Sequence, residues 1–181
     1  MDSMNINLSA VLFDERDLKN KISELGINIS KQYEDKTPIL ICVLKGAVVF
    51  LADLMRHITV PVEVDFLAIS SYGAFTESSG MVKLKKDIIS DIKDRHVIII
   101  EDIVDTGLSL HYLINHLKSY NPASIATCVL LSKPEARKID VAIDFLGFEI
   151  ENDFVVGYGL DCNERYRNLP YIGILKKEAY S

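Results

Sequence analysis

With 181 residues, 49% of them hydrophobic and 25% charged, the chain has the size and balance of one globular domain with apolar material enough for a core. Its net charge of −6, from 20 Lys and Arg against 26 Asp and Glu, argues against a nucleic-acid-binding face, while leaving room for a local basic pocket that holds a polyphosphate. Cys42, Cys128 and Cys162 are far apart and form no CxxC pair, which argues against zinc and against a disulfide framework.

No basic-then-apolar leader is visible at the start, and no apolar run is long enough to span a bilayer. A soluble, cytoplasmic protein with no membrane partner is expected. Residues 1 to 13 read as a short lead-in with an edge strand around Ala10–Phe13. Asp14 is a candidate N-cap, and Leu18, Ile22, Leu25, Ile29 and Tyr33 then recur at helical spacing. Pro38 to Leu44 reads as a buried strand. Lys45-Gly46 follows it, and Val48, Phe50, Leu51, Leu54 and Met55 predict a second helix. Alone, Lys-Gly at this place reads as a plain turn with a solvated lysine.

Val62 to Ser70 alternates as a strand does. From Gly73 to Gly80 no apolar period runs, so a mobile loop entered through Ser71-Tyr72 is expected; it is either a lid or a surface hairpin. Lys83, Lys85 and Lys86 read as the solvated face of a returning strand.

The most informative stretch is Val97-Ile98-Ile99-Ile100-Glu101-Asp102-Ile103-Val104-Asp105-Thr106-Gly107-Leu108-Ser109. Four β-branched residues in a row suit a strand buried on both faces. An acidic turn and a hydroxylated loop follow, and Leu110, Leu113, Ile114, Leu117 and Tyr120 predict a helix. Open α/β sheets bind ligands at the carboxyl ends of their strands, and helix N-termini attract phosphate. Three carboxylates would repel a lone phosphate, but they accept hydrogen bonds from sugar hydroxyls and suit hydrated Mg2+. The ligand chemistry is therefore that of a sugar phosphate with a metal.

Ser124 to Leu131 is a further buried strand, ending in Ser132-Lys133-Pro134, where the lysine alone reads as an ordinary surface residue. Val141–Ile150 and Phe154–Asp161 read as two more strands. Gly157 and Gly159 make no dinucleotide fingerprint, because the third glycine and a following helix are missing. There are no repeats and no linker.

The stretch from Val97 to Ser109 closely resembles the ribose-phosphate signature of the type I phosphoribosyltransferases, and its Glu101-Asp102 pair resembles the 6-oxopurine branch, the hypoxanthine-guanine phosphoribosyltransferases. Leu44-Lys45-Gly46, Ser71-Tyr72, Lys133, Phe154 to Asp161, and Glu164 with Tyr166 to Gly173 extend the resemblance over most of the chain. It implies an α/β fold: a mostly parallel sheet flanked by helices, with a small hood from residues near both termini, all within one domain over 1–181.

The activity implied is Mg2+-dependent transfer of the phosphoribosyl group from 5-phosphoribosyl 1-diphosphate to N9 of hypoxanthine or guanine, in purine salvage. The resemblance implies roles for particular residues. Asp105 is the general base or N7 partner. Glu101 and Asp102 lie by the ribose and help order the metal, and Asp161 helps hold a second Mg2+ on pyrophosphate. Asp105, Thr106, Gly107 and Ser109 hold the 5'-phosphate, while Lys45, Gly46 and Arg167 meet pyrophosphate. Phe154 stacks on the base, Val155 reads its edge through the backbone, and Asp161 lies near its exocyclic region. Lys133 donates to the 6-oxo group, since a lysine cannot accept from a 6-amino group. Ser71-Tyr72 belong to the closing lid. A homodimer or homotetramer is implied.

Leu108 stands where relatives often carry Lys, Glu151-Asn152-Asp153 replaces Pro-Asp-Lys or Pro-Asp-Glu, and Cys162 replaces Tyr. These departures bear on base preference, so a xanthine-preferring enzyme stays open. So does a related regulator that binds RNA, although the acidic balance speaks against it.

Overall fold

The computed structural model describes residues 7–71 and 82–180. Its centre is a six-stranded sheet of β2 (Ile39–Leu44), β3 (Glu63–Ser71), β4 (Val82–Lys86), β5 (His96–Val104), β6 (Ser124–Ser132) and β7 (Phe145–Glu149) in the order β4-β3-β2-β5-β6-β7. All neighbours are parallel except β4, which lies antiparallel on the edge.

Because successive side chains in a strand point to opposite faces, the apolar runs feed two cores. Leu40, Cys42, Ile98 and Ile100 face α1 (Glu15–Gln32) and α2 (Val48–Leu54). Ile39, Ile41, Val97 and Ile99 face α3 (Leu108–Lys118). Asp14 caps α1 as expected, and Asp17 completes a reciprocal capping box that satisfies free N–H groups of the first turn. Leu18, Ile22, Leu25 and Ile29 are buried against the sheet.

A second sheet joins residues near both ends of the chain: β1 (Leu8–Phe13), β9 (Ile172–Leu175) and β8 (Val155–Val156), all antiparallel.

Several elements differ from the sequence reading. The strand β5 does not end at the carboxylates but runs through them to Val104, because Glu101 and Ile103 stay paired with Val129 and Leu131 of β6. The two expected strands near the end are shorter: Val141 to Asp144 lies outside β7, and β8 stops after two residues where Gly157, Tyr158 and Gly159 all turn with positive φ. The strand β9 was not anticipated. Tyr120 lies beyond α3, and Val48 and Met55 are exposed rather than core. Lys86 is not merely solvated, since its ammonium donates to the carbonyl of Phe66 and pairs with buried Asp65 at 3.8 Å.

The strand order sets the place for a ligand. From β2 the chain crosses to β3 on one side, and from β5 it crosses to β6 on the other. The loops after β2 and β5 therefore part, and a crevice opens at their carboxyl ends.

Candidate active site

Glu101 and Asp102 lie on the last stretch of β5, beside this crevice. Glu101 is buried, and its Oε2 has no hydrogen-bond partner among the described residues. Burial, then the neighbouring Asp102 charge, pushes its carboxyl well above the usual carboxylate range. Asp102 is raised to about 6, chiefly by burial, against the opposing pull of the Ile103 N–H, which donates to its Oδ1 at 2.9 Å. The charge of Arg167 lowers it and that of Asp161 raises it, so both belong to its surroundings.

The loop after β2 comes close to this carboxylate. A Cβ on Gly46 would sit 1.6 Å from Asp102 Oδ2, and a Cβ on Gly159 would sit 2.0 Å from the Gly46 carbonyl. Only bare backbone fits between Asp102 and the second sheet's loop. The Leu44–Lys45 peptide here is cis.

Beyond β5 the chain turns through Gly107, whose φ of +83° suits glycine, into the N-terminus of α3. The N-cap Gly107 offers no side chain; the Leu108 N–H donates to Thr106 Oγ1 at 3.4 Å, and the N–H groups that follow it in the first turn are open to a ligand. Glu101, Val104, Asp105, Thr106, Gly107 and Ser109 line a cavity of about 90 Å3 there. The Thr106 carbonyl accepts from Lys138 and Ile139 N–H at 2.9 and 3.2 Å, which braces the loop from the segment after β6.

Lys133, at the end of β6, is buried, and its backbone N–H donates to the Val104 carbonyl at 2.9 Å. Burial lowers its pKa, while the charges of Asp105 and Asp153 oppose that. One ring partner of Phe154 is Tyr180, stacked at 4.6 Å between centroids and 20° between planes.

Across the crevice, Lys45 Nζ lies 2.8 Å from Glu164 Oε1. Arg167 reaches Asp161 Oδ1 at 2.9 Å, donates through Nη1 to the Gly159 carbonyl at 2.8 Å, and meets Glu164 Oε2 through Nε and Nη2 at 3.3 and 3.2 Å.

Buried Glu101 and half-buried Asp102 thus stand at the sheet's switch point, beside a cavity at a helix N-terminus, and the chain is similar to known proteins. Residues 11–163 match the phosphoribosyl transferase domain. The chain belongs to the phosphoribosyltransferase family. It is 48% identical to the hypoxanthine-guanine phosphoribosyltransferase of Bacillus subtilis strain 168 over 177 residues, 98% of each chain. Over 175 residues, 97% of each chain, it is 46% identical to the enzyme of the same name from Streptococcus thermophilus. A crystal structure of a hypoxanthine phosphoribosyltransferase from Staphylococcus aureus superposes with a TM-score of 0.95 at 43% identity, covering 99% of this chain and 98% of that one. The fold is the type I phosphoribosyltransferase fold expected from the sequence.

Within this phosphoribosyltransferase, the expected residues fall into three groups. Glu101, Asp102, Asp105, Thr106, Gly107 and Ser109 share one strand–loop–helix unit. Lys45, Gly46, Asp161 and Arg167 meet where the second sheet's loop crosses β2. Lys133, expected with Phe154 and Val155 to bind the base, follows β6 in the field of Asp105 and Asp153, the latter next to Phe154. Among the described residues no group of three or more His, Cys, Asp and Glu side chains gathers as a metal cage. Ser71 ends β3, and Tyr72 lies outside the described residues.

A larger cavity of about 590 Å3, between α1, α2 and the segment 167–170, shares only Arg167 with the expected set. Sequence reasoning gave no role to Glu164, Tyr180 or Tyr158. Glu164 stood within the resembling motif, but Tyr180 lies 26 positions from Phe154, and no periodic signal links them.

Proposed function

We propose that this chain transfers the phosphoribosyl group of 5-phosphoribosyl 1-diphosphate to N9 of hypoxanthine or guanine, releasing pyrophosphate and forming IMP or GMP. The observation that carries this reading is the pair at the end of β5: Glu101 is buried, and Asp102 lies against Gly46, next to Lys45, and in the field of Arg167. In it the C1'–oxygen bond to diphosphate breaks, the C1'–N9 bond forms, and the purine proton passes to Asp105. The α3 N-terminus with Thr106 and Ser109 holds the 5'-phosphate. Glu101 and Asp102 accept from the ribose hydroxyls. Lys45 and Arg167 balance the charge that gathers on the departing diphosphate.

Carboxylate oxygens suit Mg2+, which takes one or two protein ligands and fills the rest with substrate oxygens and water. Glu101 Oε2, buried and without a hydrogen-bond partner among the described residues, fits such an ion, as does Asp102, and Asp161 is the candidate on the pyrophosphate side. Held by these residues, Mg2+ would supply positive charge to offset that of the departing diphosphate.

Lys133 donates to the 6-oxo group, Val155 reads the base edge through its backbone, and Phe154, backed by Tyr180, stacks on the purine. The three-stranded sheet serves as the hood of a single functional unit over 1–181, and a homodimer or homotetramer is its assembly. Among the described residues no helix is long and apolar enough to cross a membrane, and the free, buried Cys42, Cys128 and Cys162 support a reducing, cytoplasmic setting.

The test is a product assay with 5-phosphoribosyl 1-diphosphate, Mg2+ and one base at a time. IMP and GMP are expected, with adenine unused and the rate down about 10²-fold or more in Asp105→Asn. XMP as the main product would keep the mechanism and change the substrate. No nucleotide from a folded protein would overturn the enzyme reading.

A further inference from the structure

Glu164 spans the two cations. Its Oε1 takes Lys45 Nζ at 2.8 Å, and its Oε2 takes Arg167 Nε and Nη2 at 3.3 and 3.2 Å. Lys45 and Glu164 are 119 positions apart, so the contact is tertiary and not a local pairing. The Nε–Nη2 edge of a guanidinium is the edge a bidentate oxyanion uses, and here Glu164 fills it. Nη2 is shared with Asp161 Oδ1 at 2.9 Å, and Nη1 is taken by the Gly159 carbonyl at 2.8 Å. A diphosphate therefore meets both cations on the same side as Glu164 and competes with it.

The local backbone is bent to present this carboxylate. Asn163, Glu164 and Tyr166 all have positive φ, at 52°, 60° and 76°, a conformation that costs non-glycine residues energy. The Asp161 carboxylate accepts the Glu164 N–H at 2.8 Å and holds the turn. The pair is nonetheless replaceable. The side chains of Lys45 and Glu164 are 66% and 63% exposed, and exposed ion pairs contribute little to stability.

We infer that Glu164 is a resident stand-in for diphosphate, a positioning residue that keeps Lys45 and Arg167 aimed at one point and yields both to the substrate. This rests on the reading of Lys45 and Arg167 as the diphosphate-binding cations. On release the same carboxylate recloses over them and opposes rebinding of pyrophosphate.

The test is calorimetric titration of the full chain with inorganic pyrophosphate and Mg2+, using wild type, Glu164→Gln, Glu164→Asp, Lys45→Ala and Arg167→Gln. Glu164→Gln is expected to bind pyrophosphate roughly three- to tenfold tighter, with KM for the sugar diphosphate lowered and kcat not raised. Glu164→Asp, which keeps the charge but is one methylene short of the contact, is expected to follow it. Unchanged or weaker binding in Glu164→Gln, while Lys45→Ala and Arg167→Gln weaken it, would overturn the stand-in and keep the two cations in their role. Wild-type binding in Glu164→Asp would assign the effect to charge at a distance and also overturn it. No change in Lys45→Ala and Arg167→Gln would remove the reading beneath it.

Discussion

Asp102 carries a cost that can be read by titration. Its carboxyl is raised to about 6 from a usual 3.8, with burial as the main cause. A raised carboxylate favours the protonated fold, so its penalty is absent below pH 4, grows as pH rises through 6, and is complete above that. The difference of about 2 units sets it at roughly 2–3 kcal/mol. Asp102→Asn is therefore expected to raise the melting temperature of the ligand-free protein at pH 8. The gain should shrink through pH 6 and vanish near pH 4, as thermal melts across pH would record. The same variant should lose activity at every pH. Stability and function oppose each other here, because a carboxylate kept dry is expensive alone and useful beside a cation.

Among the elements, α1 shows how a local signal and a packing signal separate. Asp14 acts at the helix end, where its side chain takes the N–H groups of Arg16 and Asp17 at 2.8 and 2.9 Å. Ile22 acts in the core, fully buried. Asp14→Ala is expected to cost about 1 kcal/mol, and Ile22→Ala roughly 2–5 kcal/mol. Chemical denaturation should rank them so, with KM unchanged in Asp14→Ala.

The cap and the 3.6-residue period of α1 were legible because both are written within a few positions. The far end of α3 was not. Pro122 disfavours helix at Asn121, which takes a φ of +55°. Tyr120, freed from the helix, donates its hydroxyl to Asp87 at 2.8 Å. An apolar period reported that Tyr120 is amphipathic, not which partner it would find. Likewise the carboxylates of β5 looked like a turn, since buried acids are rare in strands; pairing with β6 kept them in the sheet.

Across the whole molecule, the second sheet shares the larger core with the first: Val155 and Ile172 are buried there with Leu40 and Ile100, and Phe13 of β1 stacks on Phe148 of β7. Tyr158, buried, donates its hydroxyl to Asp53 of α2. Burial, then the bond to Asp53, pushes its phenol far above the ordinary range, so it stays a donor at any working pH. Gly159 packs on the Gly46 backbone, and Glu164 reaches Lys45 in the loop after β2. Tyr158→Phe is expected to cost about 1–2 kcal/mol by leaving Asp53 without that donor. It should also raise KM for the sugar diphosphate severalfold more than it lowers kcat, because the tie sets the distance between Lys45 and Arg167. Steady-state kinetics beside a melting curve would read both.

What the sequence determined by itself was whatever chemistry lies within one contiguous unit. The β5–loop–α3 stretch holds its strand, its carboxylates and its phosphate-binding turn in 13 consecutive residues, so their order alone implies their neighbourhood. The parallel core was legible for the same reason, as short β-branched runs need burial on both faces wherever they lie. Only the tertiary structure decided what meets across the crevice: Lys45 with Glu164, Gly46 with Asp102 and Gly159, Lys133 with Asp105 and Asp153, Phe154 with Tyr180. Those pairs depend on where the strand order reverses and on how far the second sheet leans over it. Contacts between distant positions follow from the packing of whole layers, which no local spacing encodes.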